Sequence, residues 1–333
     1  MFGRLVHYIR VRIRWASIMV VRLIRFLTHD IWFLKEEDFS RWTARLVRDA
    51  KTVVLMMSTF TDQKIGYQIT ALAYRSMLAV VPAIAIGFYL TDGLGLREKF
   101  ADILYANLGE QHITEVLLTA ADNIVKTAET GLFGFISMAS FVWIVLSLMI
   151  TVRRVFNNVW KQEKEENVLG MVGVIIGITL LAPFVVMIFF SGSVLYSHVL
   201  DLLFPSQLFF SARLKNLLTW TLFAALSVLV LSAMYKYIPG ARVRYRHALK
   251  AALISGLVFT GIQYLYLETQ VMVAKQSAVY GVIAALPLFM IWLNLGWTVI
   301  LYGAELSYAF QNVKQTEETI RSRRHLFQKN LSL

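Results

Sequence analysis

Arg75, Asn294 and Glu305 stand out in this sequence because each sits inside a long apolar stretch. A charged side chain at the centre of a membrane-spanning helix costs at least ~2.5 kcal/mol, so such groups are paired or functional by default. Arg75 lies about nine residues into the first stretch, roughly 13 Å deep by helical rise. Glu305 lies about five residues before the end of the last stretch, roughly 8 Å deep on the same scale. Opposite charges at nearly matched depth predict an Arg75–Glu305 ion pair. The competing reading has Arg75 snorkelling to phosphates while Glu305 caps a helix end or carries a proton. Asn294, near the middle of the last stretch, either bonds a neighbouring helix or lines a cavity. Arg75, Asn294 and Glu305 are therefore the candidate pathway residues. Pro82, Pro183 and Pro287 lie inside three of the stretches, where each removes a backbone donor and frees a carbonyl. They are candidate helix breaks of the kind found in transporters, although a plain kink is the commoner result of such a proline.

Other chemistries find little support in the sequence. The six histidines are never within ten residues of one another, so no short-spaced metal-ligand pair exists. With no cysteine, disulfides, thiolate metal sites and cysteine nucleophiles are all excluded. Phosphate-cradling loops, nucleophile elbows and dinucleotide fingerprints are missing as well. The chain is expected to be no enzyme and to need no metal or cofactor.

The elements that must position the candidates are spanning helices. Hydrophobic residues make up 57% of the chain and charged residues only 16%, with a mean hydropathy of +0.59. A water-soluble surface needs more charge than that, so lipid is the expected solvent. The reading is an all-α membrane protein with six spans at about 66–90, 132–152, 168–195, 217–238, 248–268 and 281–310. Each is long enough for a hydrocarbon core of about 30 Å. Residues 1–62 form a cytoplasmic or interfacial amphipathic region, 63–310 the spanning domain and 311–333 a basic cytoplasmic tail. Within the first region, polar residues from Arg4 to Thr28 recur every three or four positions, which fits a helix in the headgroup plane. The alternative is a helix packed on the ends of the bundle. Trp42, Leu46, Val53 and Met57 mark a second amphipathic helix. Residues 91–131, about 40 in number, are too long for a simple turn, and their apolar spacing suggests two short helices over the outer face. The first residues lack the apolar core of a cleavable signal peptide, so the first span is expected to direct insertion itself.

Orientation follows from charge. Lys plus Arg number 12 before the first span, then 3, 4, 2, 5 and 1 in successive connections, and 5 after the last. The high values fall on one side and the low on the other, the positive-inside pattern of a chain with both ends in the cytoplasm. Net charge is +12. Arg153, Arg154, Arg242, Arg244 and Arg246 gather on the cytoplasmic face. Topology determination explains them, and binding of anionic lipid headgroups is the sharper reading. Gly170, Gly173 and Gly177 are spaced for close helix contact, which permits a homo-oligomer or internal packing.

Several strings, in order and at matching spacing, resemble the YihY/BrkB family of bacterial inner-membrane proteins, once labelled ribonuclease BN. They are Ala71-Leu72-Ala73-Tyr74 with Pro82, the run from Arg154 to Trp160, and Tyr237-Ile238-Pro239 followed by His247-Ala248-Leu249. Val279-Tyr280-Gly281 with Leu286-Pro287, and the run from Leu301 to Leu306, complete the set. The resemblance covers residues 59–310 and implies a six-span inner-membrane protein. Transport and cell-envelope roles are proposed for that family. The ribonuclease label would need metal ligands and a nucleic-acid surface, so nuclease activity and nucleic-acid partners are rejected. Two functions remain in view. One is a transporter or flippase-like protein moving an amphipathic or anionic substrate past Arg75, Asn294 and Glu305. The other is a non-transporting envelope protein that organises lipids or unidentified protein partners. Any energy for transport must come from a gradient or a partner, since no ATP-binding segment is visible.

Overall fold

A computed structural model describes residues 22, 30–34, 39–92, 115, 118–119, 123, 131–162, 173, 212–274 and 278–331. The described residues contain helices and one short 3-10 turn, Asp30–Phe33, and no strand. The helices are α1 (Arg41–Asp62), α2 (Ile65–Asp92), α3 (Gly131–Val159), α4 (Ala212–Tyr237), α5 (Tyr245–Ala274) and α6 (Ala278–Leu331). α3, α4, α5 and α6 each carry a stretch long and apolar enough to cross a bilayer. α2, with 28 residues, spans about 42 Å by helical rise. The expected third span at 168–195, with Pro183 and the glycine triplet, lies outside the described residues apart from Gly173. So do the outer-loop helices, apart from isolated residues, and the interfacial helix from Arg4 to Thr28, apart from Arg22.

Two of the candidate breaks are corrected. Pro82 lies within α2 and Pro287 within α6, and both helices run through without interruption. A proline deletes one rung of the hydrogen-bond ladder, and a helix of 28 or 54 residues keeps the rungs on either side. α6 also continues far beyond residue 310, where the sequence expects the last span to give way to a tail.

The chain divides into two compact units. Residues 1–62 and 308–333 make one of them. Ser40 stands just before α1, where its carbonyl accepts from Ala44 N at 2.9 Å and its hydroxyl meets Thr43 Oγ1 at 3.0 Å. Ile31, Trp32 and Leu55 pack with Ala309 and Val313 of α6 into a small apolar core. At its edge Lys51, fully buried, donates to Leu34 O at 2.8 Å and to Glu317 Oε1 at 2.9 Å. Arg321 pairs with the same carboxylate and donates to Trp32 O and Leu34 O. An ammonium out of water needs such partners, because an unmatched buried charge costs several kcal/mol.

Residues 63–307 make the other unit, in which α2 packs on α3 and α4 on α5. Small residues allow the α4–α5 contact. A Cβ on Gly256 would sit 2.7 Å from Val228 Cγ2 and 3.1 Å from its backbone nitrogen, so only glycine lets the two backbones approach this closely. α6 is tied to three neighbours. Trp297 Nε1 donates to Ser76 Oγ of α2 at 2.9 Å, and Trp292 Nε1 to Gln263 Oε1 of α5 at 2.9 Å. Gly303 lies against Tyr235 of α4.

Candidate functional site

Arg75 points from α2 towards α3. Its Nη1 donates to Ser147 Oγ at 2.9 Å and to Thr151 Oγ1 at 2.8 Å. Those hydroxyls stand four residues apart, one turn of α3, and the Thr151 hydroxyl donates a hydrogen bond to the Ser147 backbone carbonyl at 2.7 Å. A guanidinium has five N–H donors, and these two bonds use both hydrogens of one nitrogen. The remaining edge, Nε with Nη2, has the fork geometry that suits a carboxylate or phosphate. No residue among those described occupies it, and Arg75 is exposed. The sequence points to this arginine but not to Ser147 and Thr151. The signal for them is a pair of hydroxyls at helical spacing in the second span.

The expected Arg75–Glu305 ion pair is not formed. The cation is held by hydroxyls, while Glu305 is fully buried and neither of its carboxylate oxygens has a hydrogen-bond partner among the described residues. Matched depth fixes only height along the helices. Which way each side chain faces is set by rotation about the axis, and rotation separates these two. Asn294 is half-buried, and its carbonyl accepts from Thr298 Oγ1 at 2.7 Å. Pro287 is exposed.

Around Glu305 the strings singled out in the sequence come together. Phe156, near the end of α3, packs its ring 6.4 Å from that of Tyr235 at the end of α4. Asn157 Oδ1 accepts from Gly240 N at 2.8 Å, which pins the α4–α5 connection to α3. Tyr235, fully buried, donates to Ser255 Oγ of α5 at 2.8 Å, and Ser255 donates in turn to Ala251 O at 2.9 Å. Replacing Asn157 by alanine leaves the Gly240 amide without its partner. The expected loss is about 1–3 kcal/mol, read as a lower melting temperature of detergent-purified protein, whereas Asn157→Asp retains an acceptor and most of the stability.

α3 ends in a paired-hydrogen-bond cap. Lys161 N donates to Asn158 O at 2.9 Å and Gln162 N to Asn157 O at 3.0 Å, with Lys161 at φ 51°. Glycine usually fills this left-handed position, and a lysine there costs about 1–2 kcal/mol. Tyr235 and Ser255 were not legible as site residues, because their partners lie on other helices.

Of the candidate headgroup arginines, Arg154, Arg242, Arg244 and Arg246 are exposed. Arg153 is corrected. At 6% exposure it lies within the protein rather than at a surface that headgroups reach. Among the described residues, no group of three or more His, Cys, Asp or Glu is placed to hold a metal ion.

A family model described as "Virulence factor BrkB" matches residues 56–326. A UPF0761 membrane protein of Alkalilimnicola ehrlichii is 27% identical over 72% of this chain and 53% of its own length. Another, from Psychromonas ingrahamii, is 26% identical over 74% of this chain and 83% of its own. A third, from Haemophilus influenzae, is 22% identical over 80% of this chain and 97% of its own. The chain thus spans about half the length of the first relative and most of the other two. No solved structure matches it. The apolar helices and these relatives make it a multi-pass membrane protein of a bacterial type.

Proposed function

We propose, on the premise that this chain belongs to the BrkB virulence factor family, that it is a transporter or flippase-like protein of the bacterial cytoplasmic membrane. It has six spans with both ends in the cytoplasm and moves an amphipathic, anionic, lipid-like substrate past Arg75. One observation carries this reading. An exposed guanidinium is oriented by two hydroxyls, with no carboxylate on its outward edge among the described residues. Hydroxyls hold a guanidinium in place without cancelling its charge, so the charge stays available to a phosphate or carboxylate. In a medium of low dielectric that attraction far exceeds its value in water. Binding and movement suffice, and no catalytic step is assigned. Arg154, Arg242, Arg244 and Arg246 draw anionic headgroups to the inner face.

A second reading rests on α1. Trp42, Leu46, Val53 and Met57 are exposed along one face, which suits a helix lying on lipid in a protein that organises the membrane without moving anything.

Proteoliposomes holding fluorescent phosphatidylglycerol in one leaflet distinguish the two. Transport predicts protein-dependent movement to the other leaflet, with phosphatidylcholine moving more slowly. Arg75→Ala should slow it by about tenfold or more, equivalent to roughly 1.4 kcal/mol of lost interaction. Arg75→Lys should fall between, because lysine keeps the charge and loses the fork. Wild-type protein that moves neither lipid, or an Arg75→Ala variant as fast as wild type, rules the reading out.

A further inference from the structure

Glu305 takes no part in the Arg75 site, and its surroundings leave it an unmet need. Residues 303–307 of α6 are all buried, so the helix is enclosed by protein here. The carboxylate is at 0% exposure with both oxygens unpartnered among the described residues. A bare negative charge in that setting costs several kcal/mol, and the carboxyl avoids the cost by holding a proton or a cation.

The contacts of α6 fix which way this group faces. Trp292, Gly296 and Gly303 touch Gln263, Phe259 and Tyr235, so that side of α6 is turned to α4 and α5. At 3.6 residues per turn, Asn294, Thr298 and Glu305 fall within about 40° of one another on the opposite side. They make a polar line about 16 Å long, from the middle of the span to its inner third. Asn294 and Thr298 are half-buried, and each has a polar group that can bond a water or pass a proton.

We propose that Glu305 is a proton-binding site that couples substrate movement to the proton gradient, reached along the Asn294–Thr298 face of α6. The coupling rests on the transport reading above, while proton binding does not. On loading, a proton adds to one carboxylate oxygen, and on release it leaves that oxygen, with no other bond changed. Charged or titratable groups on the elements around α6 include Tyr74 and Arg75 on α2, Arg153 and Arg154 on α3 and Lys161 after it, Tyr235 and Lys236 on α4, and Arg246, His247, Lys250 and Tyr264 on α5. Tyr235 faces Gly303 and is bonded to Ser255, and Arg75 is held by α3.

Two measurements on full-length protein test this separately. Infrared difference spectra taken across a pH titration should show a carboxyl band that Glu305→Gln removes and Glu305→Asp moves. In proteoliposomes, an imposed proton gradient should speed lipid movement in the wild type, and Glu305→Gln should reduce that acceleration by about tenfold, within the usual range for coupled sites. A band without lipid movement in the wild type keeps the proton site and defeats the transport reading. No band change in Glu305→Gln, or acceleration driven by a sodium gradient instead, overturns the proposal.

Discussion

Valine in place of Gly303 is expected to remove nearly all folded protein from the membrane, read as loss of the monodisperse peak in detergent. A Cβ at this position would fall onto the Tyr235 hydroxyl, 2.7 Å from Tyr235 Cζ and 2.8 Å from Ser255 Cβ. None of these atoms has room to give. Tyr235 is fully buried, its ring contacts Phe156, and its hydroxyl is bonded to Ser255 at 2.8 Å. Overpacking alone costs about 1–3 kcal/mol, and loss of the Tyr235–Ser255 bond leaves buried polar groups to be charged in addition. Alanine at 303 should be milder and measurable as a lower melting temperature. Tyr235→Phe removes the hydroxyl that alanine collides with, so the double variant should lose less than the sum of the two single changes. Strict additivity would show that the contact does not limit α6.

Lys51→Ala should loosen the terminal unit by about 3–5 kcal/mol, the usual penalty for breaking a buried ion pair from one side. The ammonium has 0% exposure and bridges Leu34 O and Glu317, so alanine leaves a cavity, a Leu34 carbonyl that keeps only its Arg321 donor, and a half-neutralised carboxylate. Lys51→Met fills most of the cavity, and Arg321 still faces Glu317, so its loss should be clearly smaller. Hydrogen exchange in residues 41–62 and 308–323 reads both variants. Equal protection in Lys51→Ala and wild type would mean that the apolar core around Trp32 and Leu55 suffices without the clasp.

These expectations show where sequence reasoning reaches and where it stops. Helices α2 to α6 were legible because lipid imposes a length and a composition on every span, and that constraint is local. Arg75 and Glu305 were conspicuous for the same reason, as charges in apolar runs. Their partners were not, since helical rise gives depth while facing depends on how neighbouring helices rotate to pack. Lys51 illustrates the limit. It reads as one more polar residue of an amphipathic helix, yet it is buried against a carboxylate 266 positions away. Gly303 stood within a recognised string, but the Tyr235 hydroxyl that forbids a side chain there comes from another helix. Pro82 and Pro287 left a break and a kink both open, and the continuous helices α2 and α6 show that chemistry that permits a break does not require one.

That separation of 266 residues also imposes a timetable on biogenesis. At a ribosomal pace of about 5–20 residues per second, Lys51 emerges tens of seconds before Glu317 exists. Throughout that interval the lysine lacks its counter-charge, and Trp32 and Leu55 lack Ala309 and Val313. The clasp therefore closes only after every intervening segment has been made, and a chain arrested early would display an open apolar surface to quality-control proteases.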